Sequence, residues 1–154
     1  MIRCVFVATD GSEASLAAVR TGVSLTQSLR DGARLHVAAV VDYAEVPGML
    51  GRQPAGAPDL LTDQAQAALD SAHAAIAPSG LSAGSHLLHG DVVEALLACA
   101  AEVGADILVA GFHGRNRLAR IVIGSVAGKL VRSTDLPVVV VRAPSAQSGE
   151  SQYP

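Results

Sequence analysis

The stretch "GFHGRNRLARIVIGS", Gly111 to Ser125, holds the residues best suited to chemistry. Gly111 and Gly114 follow an apolar run, "ADILVA"; Gly124 and Ser125 open a helix-like segment, "SVAGKLVRS". Glycine at a strand exit lets the backbone turn sharply and lets a ligand approach the amides. A helix start leaves amides unpaired, and together with the helix dipole these attract anions, phosphates above all. The Ser125 hydroxyl adds a donor. Arg115, Arg117 and Arg120 lie between the two glycine sites, where they can neutralise phosphate charge. Glycines can also do no more than shape a loop. Here four positions agree with one another in a strand-to-helix context, and the agreement favours a nucleotide.

Better-known phosphate patterns do not fit. "GSVAGKL" has three residues between its glycines where a P-loop has four, and Leu130 follows Lys129 where Ser or Thr belongs. Lys129 therefore reads as a solvated helix residue. No G-x-G-x-x-G follows the first strand-like run, which argues against a dinucleotide fold of the usual type. No Ser/His/Asp or Cys/His arrangement shows by motif, and no base stands out to orient a water, so hydrolysis is expected to be slow or absent. His113 lies inside the glycine loop, either donating to a phosphate or turned outward. His86 and His89 are three apart on a strand, so they point to opposite faces and cannot chelate one metal. His36 and His73 have no partner by spacing and read as structural. Asp42 falls just past the second strand, close to the expected pocket. A bound nucleotide's phosphates usually carry magnesium, although no dedicated carboxylate pair is present to hold it.

The elements that must position this stretch follow from composition and periodicity. The 154 residues suit one domain; half are hydrophobic but only 3% aromatic, so Val, Leu, Ile and Ala must build the core. Cys4 and Cys99 fall in apolar runs and read as buried thiols. The net charge of −3 argues against general nucleic-acid binding. No apolar run approaches the roughly 20 residues of a membrane span, and "MIRCVFVATDGS" lacks a signal-peptide layout. A cytoplasmic location is expected.

Strands are predicted at Ile2 to Ala8, "ARLHVAAVV", "GSHLLHG", "ADILVA" and "LPVVVVR". Helices are predicted between them: after the Ser12 cap, from Leu60 to Ala77 behind Asp59, from Val92 to Val103 between Asp91 and Gly104, and from Ser125 to Ser133. The 42–58 segment reads as a long irregular loop, and 145–154 as a flexible polar tail. Strict alternation gives a single-domain α/β fold, an open parallel five-stranded sheet with helices on both faces. With strand order 3-2-1-4-5, the "ATDGS" and "GFHG" loops lie side by side at the topological switch point, where such sheets bind ligands. The Val138–Val141 strand is a bare edge that invites pairing with a second chain.

At this point the residues resemble the universal stress protein family, specifically its ATP-binding members. "GFHGRNRLARIVIGS" matches their G-x2-G-x9-G-[S/T] pattern, and "VATDGSEAS", "LHV", "HGDVVEALLACAAEVGADILVAGFHG" and "GSVAGKLVRSTDLPVVVVR" extend the likeness over nearly all of residues 1–144. The resemblance implies a Rossmann-like domain that binds ATP or another adenine nucleotide. Asp10 and Thr9 would then meet the nucleoside, and Val37 the adenine. Gly111 and Gly114 would cradle ribose and phosphates; Gly124, Ser125 and the amide of Val126 would hold phosphates. It further implies a homodimer, often through the last strand, and a sensor or regulator role in the stress response, with a regulatory protein as partner. Position 112 departs from the pattern: Phe stands where small polar residues are common, either packing on a neighbouring strand or narrowing the pocket. Other readings are a member acting purely as an interaction module, a weak ATPase, or an adenylyl-transfer enzyme, for which the chain is short of a catalytic motif.

Overall fold

The fold is described from a computed structural model, over residues 1–29, 31–43, 57–113 and 123–144, with the backbone alone at 57–59. Gly114, Arg115, Arg117, Arg120, most of the loop after the second strand and the 145–154 tail lie outside the described residues.

The chain runs β1 (Cys4–Ala8), α1 (Glu13–Ser28), β2 (Arg34–Val41), α2 (Ala57–Ile76), a short 3-10 turn, β3 (Ala83–His89), α3 (Val92–Val103), β4 (Ile107–Gly111), α4 (Ser125–Ser133) and β5 (Val138–Val141). All strand pairs are parallel, in the order β3-β2-β1-β4-β5. The strands of such a sheet are covered on both faces and need continuous apolar runs; accordingly Cys4, Val5, Phe6 and Val7 are all fully buried. One core packs Val5, Val7 and Val37 against α1 and α2, and the other packs Phe6, Ala38 and Leu108 against α3 and α4. No helix among the described residues is long and apolar enough to cross a membrane.

Helix starts follow the caps written in the sequence. The Ser15 amide donates to Ser12 Oγ at 3.2 Å, and the Glu94 amide to Asp91 Oδ1 at 3.0 Å. Gly104, in the left-handed region at φ 68°, ends α3. Helix α2 differs from the expectation. It begins at Ala57, so Asp59 stands inside the first turn instead of before it. Pro58 is compatible with that earlier start, because a first-turn residue needs no intrahelical N–H bond. Asp106 latches the start of β1: its Oδ2 accepts the amides of Arg3 at 2.8 Å and Cys4 at 2.9 Å, and those bonds hold the carboxyl below its ordinary range. Both cysteines are free and buried, and burial pushes their thiols up, away from reactivity.

Helix α1 lies unusually close to the sheet. A methyl group on Gly22 would stand 2.5 Å from Val7 Cγ2, and one on Gly111 only 2.8 Å from the backbone of Ala14 and Ser15. Gly111 therefore does more than admit a ligand; it seats the first turn of α1. We expect Gly111→Ala to lower stability in urea denaturation by about 1–3 kcal/mol, the usual cost of overpacking. A loss under about 0.5 kcal/mol, the range of ordinary surface changes, would show that α1 lifts freely.

His36 has a partner that spacing alone did not reveal. Its Nδ1 lies 3.0 Å from His86 Nε2 across β2 and β3, with the rings stacked at 5.2 Å. Gly84, paired with His36, makes room: a Cβ there would come within 2.4 Å of the imidazole. Burial, then His86 and Arg34, lower the His36 pKa. The folded state thus favours the neutral ring. Its stabilisation is complete above the ordinary value of about 6.5 and is lost as pH falls through that value towards the lower folded one. Urea denaturation at about pH 7.5 and about pH 5.5 should show a smaller acid loss in His36→Gln than in the parent; equal losses would refute the assignment.

Candidate functional site

Beyond the carboxyl ends of β1 and β4 the structure opens a cleft of about 400 Å³, of the size that holds small ligands. Its floor is made of small residues, Ala8, Ala38 and Ala110, at the strand ends. Short side chains there leave space where the sheet stops.

The β1 exit supplies the first wall. Thr9 continues the ladder, its amide donating to Ala38 O at 2.9 Å, and its Oγ1 lies 3.1 Å from Ser15 Oγ. Asp10 follows in a tight turn: its Oδ1 accepts the Ser12 amide at 2.9 Å, and its own amide donates to Ser15 Oγ at 3.3 Å. The turn needs Gly11, whose φ of +81° side chains other than glycine rarely adopt. Thr9 and Asp10 are thus fixed by α1 before any ligand arrives.

The β4 exit and α4 supply the opposite wall. Gly111, His113, Gly124, Ser125 and Val126 all line the cleft. The Gly124 amide donates to Phe112 O at 2.6 Å, pinning the helix start beside the strand exit. Unlike α1 and α3, α4 has no side-chain cap at its N-terminus. Its first-turn residues line the site without the side-chain oxygen that Ser12 or Asp91 provides elsewhere. Phe112 packs outside the cleft wall: it is 8% exposed, its amide donates to Val141 O at 2.7 Å, and the Arg142 guanidinium sits 4.2 Å from the ring centroid. The His113 ring meets Phe112 edge-on, with centroids 4.4 Å apart. Of the two openings left by the sequence, the ring takes the neighbouring strand and does not narrow the pocket.

Most of the expected site residues therefore come together. Val37 does not: it is fully buried in the core and paired with Val7, one residue below the Ala8–Ala38 level where the cleft begins. Strand β2 instead contributes Ala38, Ala39, Val40 and, just beyond, Asp42. Gly114 and Arg115 lie outside the described residues. Residues that spacing did not suggest also line the cleft, namely Gln64 and Ala65 of α2, Val92 and Leu96 of α3, and Lys129 of α4. For Lys129 a signal existed: it stands one helical turn after Ser125 and so shares its face. The lining includes the carboxylates of Asp10 and Asp42 at the β1 and β2 exits, the imidazole of His113 at the β4 exit and the ammonium of Lys129 on α4. Such a cavity suits a ligand that carries both hydrogen-bond donors and negative charge. No group of three or more His, Cys, Asp or Glu able to hold a metal occurs among the described residues.

Comparisons with known proteins agree with this architecture. The sequence profile of the Universal stress protein family matches residues 1–142. The Universal stress protein MJ0531 of Methanocaldococcus jannaschii is 27% identical over 148 residues, spanning 93% of this chain and 84% of its own. Among solved structures, a universal stress protein family member from Burkholderia pseudomallei aligns with a TM-score of 0.70 at 29% identity, over 91% of this chain and 96% of that one. A universal stress protein in complex with cAMP aligns with a TM-score of 0.63, also at 29% identity, over 93% of this chain and 98% of that one.

Proposed function

The chain belongs to the universal stress protein family, and from that premise we propose that it binds an adenine nucleotide, ATP first, and acts as a dimeric cytoplasmic sensor or regulator in the stress response. The observation that carries the reading is the convergence on one cleft of the fixed Thr9–Asp10 turn, the β4 exit and the uncapped start of α4. A relative of comparable fold binds cAMP, which supports the ligand class. Asp10 and Thr9 would receive the nucleoside, with β2 contributing Ala39 and Val40 in the place expected of Val37. Gly111, His113, Gly114 and Arg115 would meet ribose and phosphates. Gly124, Ser125 and Val126 would hold phosphates at the helix start. With no cluster of metal ligands among the described residues, a magnesium ion would be held chiefly by phosphate oxygens and water. Hydrolysis is slow or absent in this reading, and the nucleotide acts by ordering the segment between Gly111 and Ser125, which a protein partner or the dimer senses.

Two experiments test it. Gly124 has φ −52°, which any residue adopts, so Gly124→Asp puts charge and bulk at the phosphate position without backbone strain. Calorimetric titration should show loss of ATP binding with an unchanged circular dichroism spectrum. Retained affinity would sink the site.

The proposed dimer would pair through β5, an edge strand whose pairing partner among the described strands is β4 alone. Val139 packs into the α1-side core and Val138 into the other, whereas Val140 belongs to neither cluster. Val140→Lys, a charge of the kind that blunts sheet edges, should shift the light-scattering mass from two chains to one. An unaltered mass would move the interface elsewhere.

A further inference from the structure

We infer that Lys129 is the specificity-determining residue that makes the cleft prefer nucleotides bearing a phosphate chain over uncharged nucleosides; the inference rests on the nucleotide reading above. Lys129 and Ser125 lie one turn apart on α4, and both line the cleft. Side chains on a helix lean towards its N-terminus, so the long stem of Lys129 is directed at the uncapped turn that begins at Gly124. The ammonium has no hydrogen bond or ion pair among the described residues. The other cation of this helix, Arg132, lies with its guanidinium against Gly128.

Electrostatics then gives Lys129 a role distinct from that of the backbone amides. Amides at the helix start donate to phosphate oxygens at short range. A mobile ammonium one turn further along can follow a longer, more highly charged chain of phosphates. Asp10 and Asp42, at the exits of β1 and β2, line the same cleft.

The test compares adenosine, AMP and ATP on the parent, Lys129→Gln and Lys129→Arg by calorimetric titration at low and high salt. Gln is one atom shorter than Lys but matches its helix propensity, and the position is exposed, so the fold should persist. Lys129→Gln should weaken ATP about tenfold, the scale of one hydrogen-bonded charge. It should weaken AMP less, leave adenosine unchanged and flatten the salt dependence of ATP binding. Lys129→Arg should restore most of the ATP affinity. Parent-like ATP binding by Lys129→Gln, or an equal loss for adenosine and ATP, would overturn the inference while leaving the nucleotide reading in place. A parent that binds none of the three ligands would overturn that reading, and the inference with it.

Discussion

The site depends on one short hydrogen bond, from the Gly124 amide to Phe112 O at 2.6 Å. It closes the excursion between β4 and α4 at its root. The first turn of α4 therefore stands beside the strand exit, independently of the path taken by residues 114–122. Phe112 is bonded in both directions, since its own amide donates to Val141 O at 2.7 Å. One residue thus ties β4, β5 and α4 together. Its ring, roofed by Arg142 and met edge-on by His113, fills the junction from outside the cleft. A small polar residue would keep the backbone bonds but give up the apolar contact that holds the junction closed.

The other wall is set by close approach. Glycines 22 and 111 bring α1 down onto the sheet, and the first turn of α1 then fixes the β1 exit through Ser12 and Ser15. Gly111 belongs to both walls, because it leaves β4 towards the cleft and carries the backbone of α1 on its other side. The short distance between strand and helix that stabilises the core is the same distance that shapes the site.

Much of this was legible in the sequence. Fully buried strands read as continuous apolar runs, and Ser12, Asp91 and Gly104 mark their helix ends by local chemistry. Alternation of strands and helices gave the sheet, and the switch point followed from its order. What stayed hidden depends on relations between elements. The His36–His86 contact needs the β2–β3 register, which sets His36 opposite Gly84 and His86 opposite Ala38. Val37 matched the expected strand, but only register shows that the cleft starts one residue higher. Lys129 looked solvated, and it is exposed; that it also lines the cleft depends on how α4 docks. Asp59 looked like a cap because the turn before it is written in weak signals, and Pro58 is compatible with either side of a helix start.

Caps show where the chain satisfies itself and where it does not. Helices α1 and α3 complete their first turns with the side chains of Ser12 and Asp91, so those amides are spent internally. Helix α4 starts at a glycine and carries no such oxygen, although a serine stands next in line at 125. Unpaired amides at a helix start are a cost that water or a ligand must offset. An anion bound there completes the hydrogen bonding of α4 in the folded chain and has no equivalent partner in the unfolded one. Occupancy and local order are then linked, because a ligand that binds only the folded arrangement stabilises it in proportion to its concentration.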